Sequence, residues 1–210
     1  SRINFYIDTA ENDRNSDNAI MSLQKLRIDI HIKSFACGHG HTAILTTNGT
    51  VLTFGRNDFG QLGDNTISDR WQPVEVDASN GYTGSNCQAI ACGVNHTAIL
   101  TTNGTVLTFG SNNYGKLGDN TMYDRWQPVE VIANQDYTGS NCQAIACGEF
   151  HTAILTISGE VLTFGRNDYG ELGRDNSNST KYPVPVDIDV FNNLKIGDHT
   201  LSSVHDTLTV

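Results

Sequence analysis

The segment His-Thr-Ala-Ile-Leu-Thr-Thr-Asn-Gly-Thr-Val-Leu-Thr-Phe-Gly begins at His41, returns unchanged at His96 and returns with small edits at His151, each time 55 residues on. A fixed period of this size marks stacked supersecondary units, because one such unit cannot bury its own apolar face. In each copy two apolar, Thr-rich runs flank Asn48-Gly49, Asn103-Gly104 or Ser158-Gly159. Asn-Gly predicts a β-hairpin closed by a type I′ turn, whose two central residues need positive φ; Ser-Gly is a weaker form of the same signal. The first run, Ala43-Ile44-Leu45, is apolar without alternation, as in a strand covered on both faces.

Around the hairpin the unit continues in a fixed order. A short strand, Phe35-Ala36-Cys37, precedes it, and the glycine-rich loop Gly55-Arg56-Asn57-Asp58-Phe59-Gly60-Gln61-Leu62-Gly63 follows. A polar turn then leads to Trp71-Gln72-Pro73-Val74-Glu75-Val76. Pro73 has no N–H, so this last strand is expected at the outer edge of its sheet. Residues 77–86 read as a surface connection to the next unit. The units are read as 35–90, 91–145 and 146–189. Residues 1–34, with a possible strand at Ile3–Ile7 and an alternating run at Leu26–Ile32, and residues 190–210, with a shortened Gly-x-x-His-Thr strand, read as degenerate partial units.

Four short strands per unit at this spacing predict an all-β fold: a β-propeller of four-stranded antiparallel blades, with three full blades and partial blades at both ends. Gly-x-x-His-Thr-x-x-Leu, a hairpin, then Gly-x-Asn-x-x-Gly-x-Leu-Gly occurs three times in register. In this the chain resembles the regulator of chromosome condensation repeat family. The resemblance implies a propeller, usually of seven blades, that binds partners through its loops. Seven such units need about 385 residues, and the chain has 210. Three arrangements remain open: an arc of a longer propeller, two copies completing a ring, or a smaller ring closed by the two termini. Closure removes sheet edges that would otherwise recruit other strands.

Charge narrows the partners. Asp and Glu total 23 against 13 Lys and Arg, a formal charge of −10. Such a surface repels phosphate backbones, so neither nucleic acid nor an anionic membrane is an expected partner. No run approaches the ~18 apolar residues of a membrane span. The five cysteines fall at repeat-equivalent places: Cys37, Cys92 and Cys147 in Ala-Cys-Gly, Cys87 and Cys142 in Asn-Cys-Gln. With no Cys-x-x-Cys they are expected to be small buried thiols in a reducing, intracellular compartment, cytoplasmic or nuclear.

His41, His96 and His151 recur once per unit, so a ring spreads them apart. They are read as buried imidazoles that bond backbone and tie strand to loop, not as metal ligands or catalysts. Asn57, Asn112 and Asn167 are read as loop-fixing residues, and Gly55, Gly110 and Gly165 as parts of the same frame. His39-Gly40-His41 lacks a third ligand, and no metal or other cofactor is expected. Phe59, Tyr114 and Tyr169, with Leu62, Leu117 and Leu172, are expected to pack between blades, and so are Trp71 and Trp126. No nucleophile–base pair or phosphate-cradling loop emerges, so no chemical catalysis is expected.

What varies between near-identical units suggests the binding surface. Between His41–Trp71 and His96–Trp126 just six positions change, all in loops. With the residues after the strand glycine, the candidates are His39, Arg56, Asp58, Val94, Asn95, Asn113, Tyr123, Glu149, Phe150, Arg166 and Asp168. The leading functional reading is a non-enzymatic protein-interaction scaffold that presents these loops to a protein partner. A second is guanine nucleotide exchange on a small GTPase, the activity the resemblance implies; the family's exchange factor uses an inserted wedge, and these units carry no insertion. A third is a structural subunit of a larger assembly or oligomer.

Overall fold

The computed structural model describes residues 31–187, 195–196 and 199–200. Most of both partial units expected at the termini, including the Ile3–Ile7 strand and nearly all of the alternating run Leu26–Ile32, therefore lies outside the described residues. The first sheet consists of β1 (Ile32–Cys37), β2 (His41–Thr46), β3 (Val51–Gly55) and β4 (Arg70–Glu75). The second holds β5 (Cys87–Cys92), β6 (His96–Thr101), β7 (Val106–Gly110) and β8 (Arg125–Glu130). The third holds β9 (Cys142–Cys147), β10 (His151–Thr156), β11 (Val161–Gly165) and β12 (Thr180–Pro185). In each the strands lie in sequence order and pair antiparallel. The fourth strands, each with its proline, are edge strands as expected. A two-stranded pair, β13 (Lys195–Ile196) with β14 (His199–Thr200), falls on the tail's Gly-x-His-Thr stretch. Among the described residues there is no α-helix, and a 3-10 turn spans Asn113–Gly115.

The hairpins form where the sequence places them, but not with the expected turn. Leu45 pairs Val51, and Gly49 N–H donates to Thr46 O, so Thr47 and Asn48 are the central residues. Gly49 has φ +86°, while Asn48 is absent from the residues with positive φ. This is a turn with ordinary central dihedrals followed by a left-handed glycine, a bulged hairpin rather than type I′. Asn48 Oδ1 accepts from Thr46 Oγ and from Thr50 N, which holds the turn without positive φ at Asn48.

The core lies between sheets. β5 packs on β1 and β2, and β9 on β5 and β6, so the first strands gather on one side and the fourth strands lie far from them. One cluster joins Leu45 and Val51 of the first sheet to Ile99, Leu107 and Phe109 of the second. The next joins Leu100 and Val106 to Ile154, Leu162 and Phe164. The connection between blades is not wholly surface, as the sequence suggested. Tyr82 and Tyr137 turn inward from it and are buried, and their hydroxyl oxygens accept from Val51 N and Val106 N at 2.8 Å. Each tyrosine thus caps the start of β3 or β7 in the preceding blade, satisfying an N–H no strand reaches.

Candidate interaction face

The variable residues come together at one end of the sheets. Arg56 N donates to Gly40 O at 2.8 Å, Ser111 N to Asn95 O at 2.8 Å and Arg166 N to Phe150 O at 3.0 Å. The β1–β2 turn of each blade therefore sits against the exit of its third strand. Neighbouring turns are joined: His39 N donates to Val94 O and Val94 N to Glu149 O, at 3.2 and 3.3 Å. His39, Arg56, Asp58, Asn113, Tyr123, Glu149 and Asp168 are exposed, and Val94, Asn95, Phe150 and Arg166 are half-buried in this row. Tyr123 joins it because its loop is pinned to Asn112, whose N–H donates to Asp124 and whose amide donates to Thr121 O.

A buried frame carries the row. Gly55, Gly110 and Gly165 have φ +109°, +105° and +114°, and a Cβ there would meet the carbonyl oxygens of Gly40, Asn95 and Phe150 within 2.5 Å. Only glycine allows that approach. Asn57 accepts from Leu62 N at 2.9 Å and donates to Asp64 and Thr66 O; Asn112 repeats this bonding, and Asn167 accepts from Leu172 N at 2.9 Å. Arg70 and Arg125 close the loops on Asp64 and Asp119 at 2.6 Å. The threonine hydroxyls and arginines beside these two carboxylates outweigh their burial and hold them below the usual carboxylate range.

His41 and His96 bond across the seam rather than to backbone. His41 Nε2 lies 2.9 Å from Thr97 Oγ of the next blade, and Thr97 Oγ donates to Gln61 O at 2.8 Å. A hydroxyl that spends its proton on a carbonyl must accept from the imidazole, so His41 carries its proton on Nε2. His96, Thr152 and Lys116 O repeat the arrangement at 3.0 and 2.8 Å. Burial pushes His41 down to about 4, and burial followed by the Lys116 ammonium pushes His96 well below its ordinary value. Both are neutral structural bridges. Among the described residues no three His, Cys, Asp or Glu side chains cluster as a metal site.

One loop position breaks the repeat. Gln61 and Glu171 accept the backbone N–H of Phe59 and Tyr169, at 3.0 and 2.8 Å. Their counterpart Lys116 accepts nothing; its ammonium donates to Ser111 Oγ and to Asn113 O, at 3.0 and 3.3 Å. The peptide between Asn113 and Tyr114 is turned so that its carbonyl faces the ammonium, and Tyr114 takes φ +68°. Lys116 is 1 % exposed, and its burial pulls it down to about 8. Its ammonium lies 5.9 Å from the Phe150 ring. Arg166 also lies by that ring, 5.5 Å from Phe150, 5.5 Å from Tyr114 and 5.1 Å from Tyr169, and bonded to Asp168 at 2.7 Å.

Three sequence expectations fail. Trp71 is 95 % exposed, because no described blade precedes the first; Trp126, 48 % exposed, does pack on the neighbouring blade, with its backbone and ring edge against Gly60. Tyr169 is 84 % exposed and Tyr114 38 %, so these aromatics border the seam rather than fill it; Leu62, Leu117 and Leu172 are fully buried. Cys37 is exposed, whereas burial pushes the Cys87 and Cys92 thiols up to about 12. The sequence reading also missed Tyr82 and Tyr137, and Gln61 and Lys116, which vary between units like surface residues, are buried. The tyrosines recur in Tyr-Thr-Gly-Ser-Asn-Cys, a signal that was present.

Comparison with known proteins agrees with this architecture. The regulator of chromosome condensation (RCC1) repeat model matches residues 48–100, 103–155 and 158–201. The human probable E3 ubiquitin-protein ligase HERC4 is 36% identical over 165 residues, 78% of this chain and 15% of that protein. The crystal structure of human WBSCR16 superposes with TM-score 0.68 at 21% identity, covering 80% of this chain and 40% of that one. Prp20p from Saccharomyces cerevisiae, described with its binding to Gsp1p and histones, gives TM-score 0.65 at 19% identity, covering 78% and 40%. The chain thus spans well under two thirds of each of these proteins. It belongs to the regulator of chromosome condensation (RCC1) repeat family.

Proposed function

We propose that the chain is a non-enzymatic protein-interaction scaffold that presents the row from His39 to Asp168 to a protein partner. One observation carries the reading. The buried frame of glycine, asparagine, histidine and threonine is repeated from blade to blade, while the residues that change between His41–Trp71 and His96–Trp126, with those after the strand glycine, sit together at one end of the sheets. Rigid scaffolds that carry variable loops are a common solution to recognition. The names of HERC4 and Prp20p describe proteins of which this chain matches 15% and 40%, so ligase or exchange activity is not carried over. Affinity capture with the whole chain is expected to enrich a partner that is lost when the β1–β2 turns and the loops after β3, β7 and β11 are scrambled together. Equal capture by both would overturn the reading.

A second reading, nucleotide exchange on a small GTPase, has one motive: Prp20p is described as binding Gsp1p. The test is release of labelled nucleotide from a GTPase panel. Acceleration over buffer would support exchange, and unchanged release would remove it. The third reading, a subunit of a larger assembly, has the exposed faces of the outer sheets in its favour, with Phe35 and Trp71 on one side and Ile157 and Tyr169 on the other.

A further inference from the structure

The loop of blade three combines an open aromatic ring with carboxylates that the other blades lack. Tyr169 is the counterpart of Tyr114. In the seam between blades two and three, Tyr114 is covered by the guanidinium of Arg166 from the following blade. Tyr169 meets Arg166 of its own blade on one side, as Phe59 meets Arg56 at 5.9 Å, and nothing described covers its other side. The neighbouring Gly170 faces open space, whereas Gly60 and Gly115 are backed by Trp126 and Lys181.

The charge at this place also differs. Blade three has Glu171 where the others have Gln61 and Lys116, and Glu149 where they have His39 and Val94. Asp168 stands where blade two has Asn113. Arg174 is turned back onto Thr163 and Val184, and Arg166, close to the Phe150 and Tyr169 rings, is bonded to Asp168 at 2.7 Å and lies 4.0 Å from Glu171, so one guanidinium serves two carboxylates. An aromatic face beside carboxylates that outnumber the guanidinium pairing them attracts a further planar cation, which stacks and pairs at once.

We propose that this loop binds an arginine side chain of a protein partner, stacked on the open face of Tyr169 as Arg166 stacks on Tyr114. The proposal rests on the reading of the loop row as a binding surface and names what one part of it recognises. The guanidinium would lie over the Tyr169 ring with Glu171, which accepts the Tyr169 N–H, beside it. Lysine fits less well, because its ammonium keeps its hydration shell and cannot stack.

The test uses the whole chain with fluorescent peptides of alternating glycine and arginine, glycine and lysine, or glycine and glutamate, read by anisotropy at low and physiological salt. The arginine peptide is expected to bind at least about five-fold more tightly than the lysine peptide, and the glutamate peptide not at all. Tyr169→Ala and Glu171→Gln are each expected to weaken the arginine peptide by about five-fold. Glu171→Gln keeps the acceptor for Tyr169 N–H, as Gln61 does for Phe59, so it separates charge from folding. Equal binding of arginine and lysine peptides, or an unchanged Tyr169→Ala, would overturn the proposal. So would protection of Tyr169 from hydroxyl-radical labelling in the free chain, which would mean that the chain itself fills the site. Partner capture that survives Tyr169→Ala but is lost on scrambling all loops would sink this proposal alone and leave the scaffold reading standing.

Discussion

The six residues His-Thr-Ala-Ile-Leu-Thr occur in β2, β6 and β10, and they meet three environments. In β6 all six are buried. In β2 the buried residues are His41, Ala43, Leu45 and Thr46, and Thr42 and Ile44 are half-buried. In β10 the parity reverses: Thr152, Ile154 and Thr156 are buried, and His151, Ala153 and Leu155 are half-buried. Alternate residues of a strand point to opposite faces. The face carrying His41 looks toward the next blade, and the face carrying Thr152 looks toward the previous one. The chain encodes the strand, and the neighbouring blade decides what each face is worth.

That comparison predicts unequal costs for equal substitutions. Leu100→Ala opens a cavity in a cluster shared by two blades and is expected to cost about 2–5 kcal/mol. Leu155→Ala removes the same atoms from the outer face of β10 and should cost less than half as much. Urea denaturation of the two variants measures both. Equal losses would mean that the outer face of blade three is covered as fully as that of blade two.

The seam bridge is next in size. Thr97→Val leaves Gln61 O and the His41 Nε2 proton without partners, a cost of about 2–3 kcal/mol. Thr42→Val, at the same position on the open face, should stay within about 0.5 kcal/mol. The same bridge sets an acid limit. His41 and His96 are neutral when folded, while the unfolded chain takes up protons near the ordinary histidine value. The unfolded state thus binds more protons over the window from about 6.5 down to about 4, and stability falls as pH falls through it. A midpoint of urea unfolding that stays flat from pH 7 to 5 would contradict neutral bridges.

Tyr137→Phe removes the acceptor for the buried Val106 N–H and should cost about 1–2 kcal/mol. Blade three offers the contrast. The residue equivalent to Val106, Val161, is exposed, and its hairpin glycine Gly159 touches nothing described, whereas Gly49 and Gly104 lie against Ser85 O and Ser140 O. Amide exchange at Val106 should therefore be much slower than at Val161 in the parent chain, and Tyr137→Phe should narrow the gap.

These contrasts show which parts of the molecule a sequence reader reaches. The period, the hairpins and the edge position of the proline strands follow from local chemistry: turn residues, β-branched runs and a missing N–H. The turn type did not, because Asn48 is held by Thr46 and Thr50 rather than by its own dihedral preference. The exposure of Trp71 was also out of reach, since it depends on which blade stands beside β4 and not on Trp71 itself. The histidines were legible as recurrent residues, but the partners of His41 and His96 lie 56 residues away in the next unit. The arginine–aromatic cluster was legible only as variation. What Arg166, Phe150 and Tyr114 do together depends on the seam that brings them face to face.

The smallest predicted effect tests that dependence at one side chain. Lys116 sits where Gln61 and Glu171 accept a backbone N–H, and a buried ammonium there has turned the Asn113–Tyr114 peptide. Burial lowers the lysine to about 8, so the folded state gives up its proton before the unfolded chain does. The unfolded state binds more protons between about 8 and the ordinary lysine value, and stability rises with pH through that window. Lys116→Gln removes this rise and relieves the desolvation penalty below it, against the loss of the bonds to Ser111 and Asn113. The net gain at neutral pH should be about 1 kcal/mol or less. Glutamine restores the acceptor, so Tyr114 is expected to return to negative φ and its N–H to bond the new amide, as Phe59 does with Gln61. A crystal structure of the variant that keeps Tyr114 at positive φ would assign the turned peptide to Arg166 and Phe150 across the seam rather than to Lys116 beneath it.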